Sequence, residues 1–319
     1  MDLSEEELLE AIRRVLSGAG TEVRVGVGDD AAVLAPTGGE LVITTDMLVE
    51  DVHFDTGTVG ARDLGHKAIV VNVSDVAAMA GSPRAAVCAL VLPPATEAAW
   101  VMELFGGMRE ACDEYALWLV GGDLSSGRDV SIAVTVTGEV APGKAILRSG
   151  ARPGDRVIVT GDLGGSAAGL RLMSVRTAPA AMQLALIRRH VRPTARVGEA
   201  RVLARHGVTA MIDVSDGLAI DLSRLARASG VGARLAIDDV PVSEGATMDD
   251  ALGGGEDYEL LATITEAAAV EAARSELKEA FGVGLTEIGR IEEGAGGLTA
   301  IHGDGRERRL EPTGWDHFR

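Results

Sequence analysis

Short apolar runs recur along this chain, and most of them end at a glycine, serine or threonine that is followed by an aspartate. The runs are 23–28 (VRVGVG), 41–45 (LVITT), 68–74 (AIVVNVS), 117–120 (LWLV) and 208–212 (VTAMI). Short runs rich in β-branched residues and bounded by turn residues are typical of strands that lead into loops. The pattern therefore predicts sheets whose strand ends carry aspartates.

The remaining pattern predicts two groups of elements separated by a turn-rich segment. In the first group we expect strands at 23–27, 32–35, 41–45, 85–92, 117–120 and 130–138, and helices at 4–17, 61–80 and 96–115. In the second we expect strands at 156–160, 209–214, 233–237, 258–264 and 285–291, and helices from 167 and at 179–190, 194–206, 217–229 and 266–280. A capping box of Ser4 with Glu7 supports the first helix.

Two Pro-Gly pairs, Pro142-Gly143 and Pro153-Gly154, interrupt the pattern within 139–155. Such pairs mark turns, so we place the domain boundary there. The prediction is an α/β (α+β) protein with an N-terminal domain at 1–139 and a C-terminal domain at 150–319. The length of 319 residues fits two domains better than one.

Composition and charge narrow the classes of function. A net charge of −18 argues against a nucleic-acid partner, since a phosphate backbone needs a basic face. No apolar run approaches the length of about 20 residues that spans a membrane, and the acidic N-terminus does not resemble a signal peptide. Cys88 and Cys112 lie in apolar contexts without metal-type spacing, which is typical of a reducing compartment. We expect a cytoplasmic protein with no membrane partner.

The aspartates that follow the apolar runs form a candidate metal site. They are Asp30, Asp46, Asp75, Asp123, Asp213 and Asp216. If an α/β fold gathers them at one edge, they repel each other unless cations lie between them. Hard oxygen ligands suit Mg²⁺, which often completes its coordination with substrate phosphate. Taken singly, Asp75 and Asp216 are better explained as helix N-caps. The prediction of a Mg²⁺-dependent phosphate enzyme therefore rests on the whole set.

Glycine-rich segments leave several alternatives open. Residues 26–31 fit a loose dinucleotide-binding pattern, but Asp29 and Asp30 stand where a pyrophosphate needs bare N–H groups, so a metal-binding turn or a solvated hairpin fits better. The turn 161–166 either binds an anion or allows close helix–strand packing. Three glycines at 253–255 precede Glu256 and permit close backbone approach to a ligand. No P-loop motif and no Ser-His-Asp or Cys-His grouping is present in the sequence.

Eight segments match one family pattern in order and spacing. They are GVGDDAAVL (26–34), TTDMLVEDVHF (44–54), HKAIVVNVSDVAAMAGSPRAA (66–86), LVGGDLSSG (119–127), LRSGARPGD (147–155), MIDVSDGLAIDL (211–222), GGGEDYEL (253–260) and GWDHF (314–318). Together they resemble the thiamine-monophosphate kinases, within the superfamily of aminoimidazole ribonucleotide synthetase. The VHF, GGEDYEL and terminal segments are the more specific to the thiamine enzymes.

This resemblance implies a two-domain fold that dimerises through its N-terminal sheet and transfers a phosphoryl group from ATP to thiamine monophosphate, with Mg²⁺. It implies a homodimer and assigns roles by motif. The implied Mg²⁺ ligands are Asp30, Thr44, Thr45, Asp46, Asp75, Asp123, Asp213 and Asp216, of which Asp46, Asp75, Asp123 and Asp216 are also the implied catalytic residues. The implied ATP contacts are Gly122, Asp123, Arg148 and Ser215. The implied thiamine contacts are His53, Glu256 and Trp315.

Three residues depart from the family pattern, and rival functions remain. Asp51 stands where Gly is usual, Leu124 where Thr is usual, and Trp315 where Tyr is common. A related ATP-using synthetase would lack the GGEDYEL and GWDHF segments, a selenophosphate synthetase would need an earlier Cys, and a hydrogenase-maturation relative would end in Cys. A non-catalytic, acidic metal-binding protein is the alternative from another class.

Overall fold

A computed structural model of the protein describes residues 5–16, 22–27, 31–174, 180–294 and 297–315. The chain divides into unit 1, Met1–Val76 with Gly81–Lys144, and unit 2, Ala77–Ala80 with Ala145–Arg319. Three predicted features lie outside the described residues: the Ser4 end of the capping box, residues 28–30 with Asp30, and the terminal segment 316–318.

Unit 1 is built on a four-stranded sheet. Its strands are β3 (Glu40–Val49), β4 (Ser82–Leu92), β5 (Trp118–Ser126) and β6 (Ser131–Val140), in the spatial order β3-β6-β4-β5. Strand β6 pairs antiparallel with β3 and β4, whereas β4 and β5 run parallel. A separate antiparallel ribbon joins β1 (Val23–Val25) to β2 (Val33–Leu34).

The two faces of this sheet have different environments. Unit 1 also contains helices α1 (Glu5–Val15), α2 (Ala61–Ala78) and α3 (Ala98–Tyr115). Alternate residues of β6, such as Ile132 and Val134, are buried on the face next to α2. The opposite face, here called the open face, exposes Leu41 (69 %), Ile43 (64 %) and Met47 (56 %). Strand periodicity therefore leaves an apolar surface that the described residues of the single chain do not cover.

The structure corrects the expectation that three of the aspartates lie at strand ends. Asp46 lies inside β3 and Asp123 lies inside β5, because both strands continue beyond the apolar runs. The run 68–74 lies inside α2, so Asp75 stands in the last turn of that helix and the N-cap interpretation is wrong for it. A fully buried helix and a buried strand share the same continuous apolar pattern, which explains the error.

Unit 2 is built on a seven-stranded sheet. Its strands are β7 (Arg156–Thr160), β8 (Val208–Asp213), β9 (Gly232–Ala236), β10 (Leu260–Ile264), β11 (Leu285–Glu292), β12 (Leu298–Ile301) and β13 (Glu307–Arg309). Their spatial order is β13-β12-β9-β11-β7-β10-β8, and the ladders are antiparallel except for the parallel pair β9 and β12.

Helices cover both faces of the sheet of unit 2. They are α4 (Gly165–Met173), α5 (Ala181–Val191), α6 (Val197–Arg205), α7 (Leu218–Ser229), α8 (Met248–Gly253) and α9 (Ala267–Phe281), with a 3₁₀ turn at Ile237–Asp239. On β7, Val157 and Val159 belong to one apolar core and Ile158 belongs to the other. Central strands buried on both sides account for the unbroken apolar runs.

The predicted α/β (α+β) class is confirmed by this mixture of sheets and helices. Helix α8 and strands β12 and β13 were absent from the expectation, since they are short and lie in glycine-rich or charged sequence. Within the described part of the chain, none of the helices combines the length and hydrophobicity needed to span a bilayer.

Candidate functional site

In unit 1, three predicted metal-binding residues lie on the covered face of the sheet. The Thr44 hydroxyl on β3 donates to Oδ2 of Asp75 on α2 over 2.6 Å. Asp46 lies two residues further along β3 and therefore points to the same face. The structure thus brings Thr44, Asp46 and Asp75 to one side of the sheet, and all three are half-buried.

Two other predicted metal-binding residues project from the open face. Thr45 donates its hydroxyl hydrogen to the Val134 carbonyl over 3.1 Å and accepts one from Thr135 over 3.0 Å. Asp123 pairs in register with Ala89. Ala89 in turn pairs with Ala133, which pairs with Met47 on the open face. Because cross-strand neighbours share a face, the single chain separates Thr45 and Asp123 from Asp46.

The remaining predicted residues of unit 1 lie on β5 and in the turn after β3. Gly122 lies opposite Cys88 in the parallel ladder. His53 accepts the N–H of Val49 at Nδ1 over 3.0 Å, which fixes the ring in the turn. Asp51, in the same turn, has a φ of 63°. The family's usual Gly adopts this conformation without steric cost, and Asp is among the few other residues that tolerate it.

In unit 2, the predicted metal-binding pair brackets the loop between β8 and α7. Asp213 ends β8 and is 1 % exposed, whereas Asp216 is half-buried and forms an ion pair with Arg224 on α7. The N–H groups of Asp216 and Gly217, which directly precede α7, donate to Asp221 over 3.0 and 3.1 Å. The N-cap residue of α7 is Gly217, so the interpretation of Asp216 as an N-cap is wrong. Burial raises the pKa of Asp221 to about 6.

The same loop anchors two predicted substrate residues through backbone contacts. The N–H of Glu256 donates to the Ser215 carbonyl over 2.7 Å, and the N–H of Trp315 donates to the Asp216 carbonyl over 3.1 Å. A Cβ on Gly255 would lie 2.6 Å from the Ser215 carbonyl oxygen, so the close approach requires glycine. Ser215, Asp216, Glu256 and Trp315 thus converge around one loop, and Trp315 is 49 % exposed beside it.

Asp257 resolves the alternative left open for the glycine-rich turn 161–166. Its carboxylate accepts the N–H of Gly164 over 2.6 Å and that of Ser166 over 3.1 Å at the start of α4. An internal carboxylate therefore occupies the N–H groups that an external anion would need. Burial raises the pKa of Asp257 to about 7, although these N–H groups favour its ionised form.

A buried imidazole that the sequence did not single out joins this group. His190 on α5 is 4 % exposed, and its Nδ1 lies 3.0 Å from Ser166 Oγ and 3.1 Å from Glu256 Oε2. Since 66 residues separate it from Glu256, no local spacing could have indicated the contact. Arg224 was also missed, but its helical spacing from Asp221 could have identified it.

The predicted set therefore divides into two groups, one in each unit, with Arg148 exposed on unit 2 and its carbonyl accepting the Ser229 hydroxyl. Among the residues with described positions, His, Cys, Asp and Glu side chains nowhere gather in threes as a metal cluster would require. The donors are instead sparse, hard oxygens that leave much of a metal's coordination to water or substrate.

Comparison with known proteins covers both halves of the chain. Residues 28–140 match the family model for the N-terminal domain of AIR synthase related proteins, and residues 152–300 match the model for the C-terminal domain. The chain is 37 % identical over 328 residues to a thiamine-monophosphate kinase of Aquifex aeolicus, with 99 % of each chain covered.

Solved structures with a similar sequence identity also resemble the chain. A thiamine-monophosphate kinase from Stenotrophomonas maltophilia K279a has a TM-score of 0.83 and 37 % identity, covering 94 % of this chain and 97 % of that one. A structure described as AaThiL complexed with AMPPCP and TMP has a TM-score of 0.77 and 36 % identity, covering 100 % of this chain and 99 % of that one.

Proposed function

The chain belongs to the thiamine-monophosphate kinase family of AIR synthase related proteins, and on that premise we propose that it transfers the γ-phosphoryl group of ATP to thiamine monophosphate. The products are thiamine diphosphate and ADP. The observation that carries this function is the match over the whole chain to a structure holding AMPPCP, an ATP analogue, together with TMP.

The chemistry of the acceptor agrees with the side chains present. A phosphate acceptor is already ionised, so the reaction needs positioning and charge neutralisation more than a strong general base. In the described part of unit 2, Ser215 and Asp216 lie within one loop that also holds Glu256 and Trp315 through their backbone N–H groups. We propose that Ser215, with Gly122, Asp123 and Arg148, contacts ATP, and that Glu256, Trp315 and His53 contact the thiamine moiety.

Mg²⁺ is the metal that suits the oxygen donors of this chain. Asn72 lies one turn before Asp75 on α2, and its Oδ1 is buried and has no hydrogen-bond partner within the described residues. Asn72 precedes Asp75 by three residues, so both lie on one face of α2. Such donors fit a cation that retains water and phosphate ligands. The proposed ligands are Asp30, Thr44, Thr45, Asp46, Asp75, Asp123, Asp213 and Asp216.

When bound, Mg²⁺ neutralises the charge that the donor and acceptor phosphates share. The chain's own residues have simpler tasks. The proposed catalytic residues are Asp46, Asp75, Asp123 and Asp216, whose carboxylates would hold Mg²⁺ at the reacting phosphates. Thr44 orients Asp75 by donating to one of its oxygens. The aromatic plane of Trp315 attracts the cationic thiazolium ring, with an energy of about 0.5–2 kcal/mol.

We further propose that two copies of the chain associate through the open face of unit 1. Leu41, Ile43 and Met47 on that face are each more than half exposed, which is unusual for three neighbouring apolar side chains of one strand. A second copy would bury them in a homodimer. The N-terminal domain, 1–139, would carry this interface together with ATP and Mg²⁺ ligands, and the C-terminal domain, 150–319, would complete the set. Buried, reduced Cys88 and Cys112 suit a cytoplasmic enzyme.

An ADP-release assay tests the function directly. Purified protein would receive ATP with thiamine monophosphate, free thiamine or a phosphoribosyl substrate, each with Mg²⁺ and with EDTA. We expect ADP release that depends on thiamine monophosphate and Mg²⁺, with little activity on free thiamine. Preference for a phosphoribosyl substrate would instead indicate a synthetase of the wider superfamily. A protein that binds Mg²⁺ but releases no ADP with any of these substrates would be a non-catalytic metal-binding protein.

A further inference from the structure

The buried side chain of His190 contacts a residue proposed above to bind the thiamine moiety. Its Nδ1 lies 3.1 Å from Oε2 of Glu256, and the Glu256 side chain is 25 % exposed whereas that of His190 is 4 % exposed. We propose that His190 is a positioning residue, which holds the Glu256 carboxylate in the orientation that binds the positively charged ring of the acceptor substrate. This inference rests on the proposed function and adds a residue to it.

The direction of the hydrogen bond follows from the groups involved. An imidazole Nδ1 without hydrogen would direct its lone pair at a carboxylate oxygen 3.1 Å away, which is repulsive. Nδ1 therefore carries the hydrogen and donates it to Glu256. The Ser166 oxygen lies 3.0 Å from the same nitrogen, so with this tautomer it can accept a share of the hydrogen but cannot donate to Nδ1.

The framework around His190 is held by the backbone. Ser166 lies in the first turn of α4, where its N–H and that of Gly164 donate to Asp257. Asp257 follows Glu256 in the chain, so the same short loop contacts α5 through Glu256 and the start of α4 through Asp257. The position of His190 relative to Glu256 is thereby determined from two sides.

The backbone of Glu256 also explains why its side chain needs a second anchor. Glu256 has a φ of 67° and Tyr258 has a φ of 53°. This left-handed conformation is costly for residues other than glycine. Such conformations persist where surrounding contacts impose them, and they cluster at ligand-binding sites. The N–H of Glu256 is bound to Ser215, which sets the position of the main chain. The contact with His190 sets the direction of the carboxylate.

A carboxylate of defined orientation discriminates between the two substrates. It binds a cation with less loss of side-chain freedom than a mobile carboxylate does. Of the two substrates, only the thiamine phosphate carries a cationic ring, whereas ATP is an anion. Loss of the His190 contact should therefore weaken binding of thiamine monophosphate and leave the binding of ATP nearly unchanged.

Two substitutions at position 190 test the proposal. His190→Leu removes the donor, whereas His190→Asn keeps an N–H donor attached to Cγ, close to the place of Nδ1. We expect His190→Leu to raise the KM for thiamine monophosphate about tenfold, with kcat and the KM for ATP within about twofold of the wild type. His190→Asn should recover most of the loss. Equal effects of the two variants on the KM for thiamine monophosphate would overturn the proposal.

A double-mutant cycle separates positioning from general support of the fold. In a Glu256→Gln background, His190→Leu should change the KM for thiamine monophosphate by less than about twofold, because its target is already altered. A tenfold change in that background would overturn the proposal. If His190→Leu melts below the assay temperature, His190→Gln tests the same contact, because the amide of Gln lies near the place of Nε2 and not of Nδ1. It should raise this KM alone, and an unchanged KM in His190→Gln would then overturn the proposal.

Calorimetric titration of thiamine monophosphate into each variant supplies a readout that does not require turnover. Different results contradict the proposed function and the role of His190. A wild-type protein without activity on thiamine monophosphate contradicts the proposed function. An active wild type whose His190→Leu variant binds thiamine monophosphate normally contradicts only the role of His190.

Discussion

Thr44 on strand β3 donates its hydroxyl hydrogen to the carboxylate of Asp75 on helix α2 across 2.6 Å. The two residues are 31 positions apart and lie on different elements, and both belong to the set of proposed Mg²⁺ ligands. A donor on one carboxylate oxygen restrains the direction of the other. The contact therefore makes Asp75 a carboxylate of defined orientation rather than a freely rotating one.

Asp75→Asn should abolish turnover without lowering thermal stability. Asp75 is in the last turn of α2, where a negative charge opposes the helix dipole, so its loss removes an unfavourable interaction of about 0.3–1 kcal/mol.

Thr44→Val should raise the Mg²⁺ concentration needed for half-maximal rate. Initial rates across a Mg²⁺ series and melting curves measure both effects. Thr137→Val, which removes a hydroxyl bound to a backbone carbonyl of the same sheet, is the matched control. A Thr137→Val variant with the same Mg²⁺ dependence as Thr44→Val would contradict the assignment.

Ile43→Lys should convert the protein to a monomer. Ile43 is 64 % exposed at the open face, and a charge there would be buried without a partner if two copies met. Light scattering after size exclusion gives the mass of each variant. Leu147→Lys, at an apolar residue of unit 2 that is 49 % exposed, should leave the mass of the wild type unchanged. Identical masses for wild type and Ile43→Lys would show that the open face is not the dimer interface.

Trp315→Ala should raise the KM for thiamine monophosphate more than the KM for ATP. The reason is the loss of stacking and cation–π contact with the substrate rings, and a uniform binding contribution appears mainly in KM. Steady-state rates with each substrate varied in turn decide the matter. Phe281→Ala, at an aromatic residue of unit 2 that is 45 % exposed, is the control. Equal changes in the two KM values would show that Trp315 does not contact the thiamine moiety.

Asp257 should make the fold less stable as the pH rises through neutrality. Burial raises its folded-state pKa to about 7, above the value of about 3.9 expected in the unfolded chain. The contribution of such a group is fully present below the unfolded pKa and is lost as the pH rises through the folded one. The melting temperature of the wild type should therefore fall relative to that of Asp257→Asn between about pH 4 and about pH 7, with no further relative change above that range. Parallel curves would show that Asp257 is ionised across the whole range.

Gly107→Ala should destabilise unit 1, whereas Gly106→Ala should not. A Cβ at 107 would lie 1.8 Å from the Arg62 carbonyl oxygen on α2, but a Cβ at 106 meets only the end of the Arg62 side chain, at 3.1 Å. Overpacking against backbone costs about 1–3 kcal/mol, while alanine in an open helix position gains up to about 1 kcal/mol. Urea unfolding of the two variants provides the comparison. A stable Gly107→Ala protein would mean that α2 and α3 can separate without loss.

Much of the local structure follows from the sequence alone. Alternation along β6 and the unbroken apolar run of β7 predicted both strands at nearly their observed bounds. Local pattern is sufficient there because a strand buried on one or both faces must place apolar residues at fixed intervals. The hard-oxygen chemistry of the aspartates and the motifs around Asp213, Ser215 and Glu256 were also readable, since residue type limits which ligands a site can bind.

Tertiary structure decided which of these residues meet. Adjacent residues Thr44 and Thr45 look equivalent in sequence, but strand geometry sends them to opposite faces of the sheet. Asp75 resembled an N-cap in the sequence, but the structure places it in the last turn of α2. The contacts of Glu256 with His190, and of Asp257 with the start of α4, join segments separated by 66 and 91 residues. Such contacts depend on how whole elements pack, and the period of a single helix or strand carries no information about them.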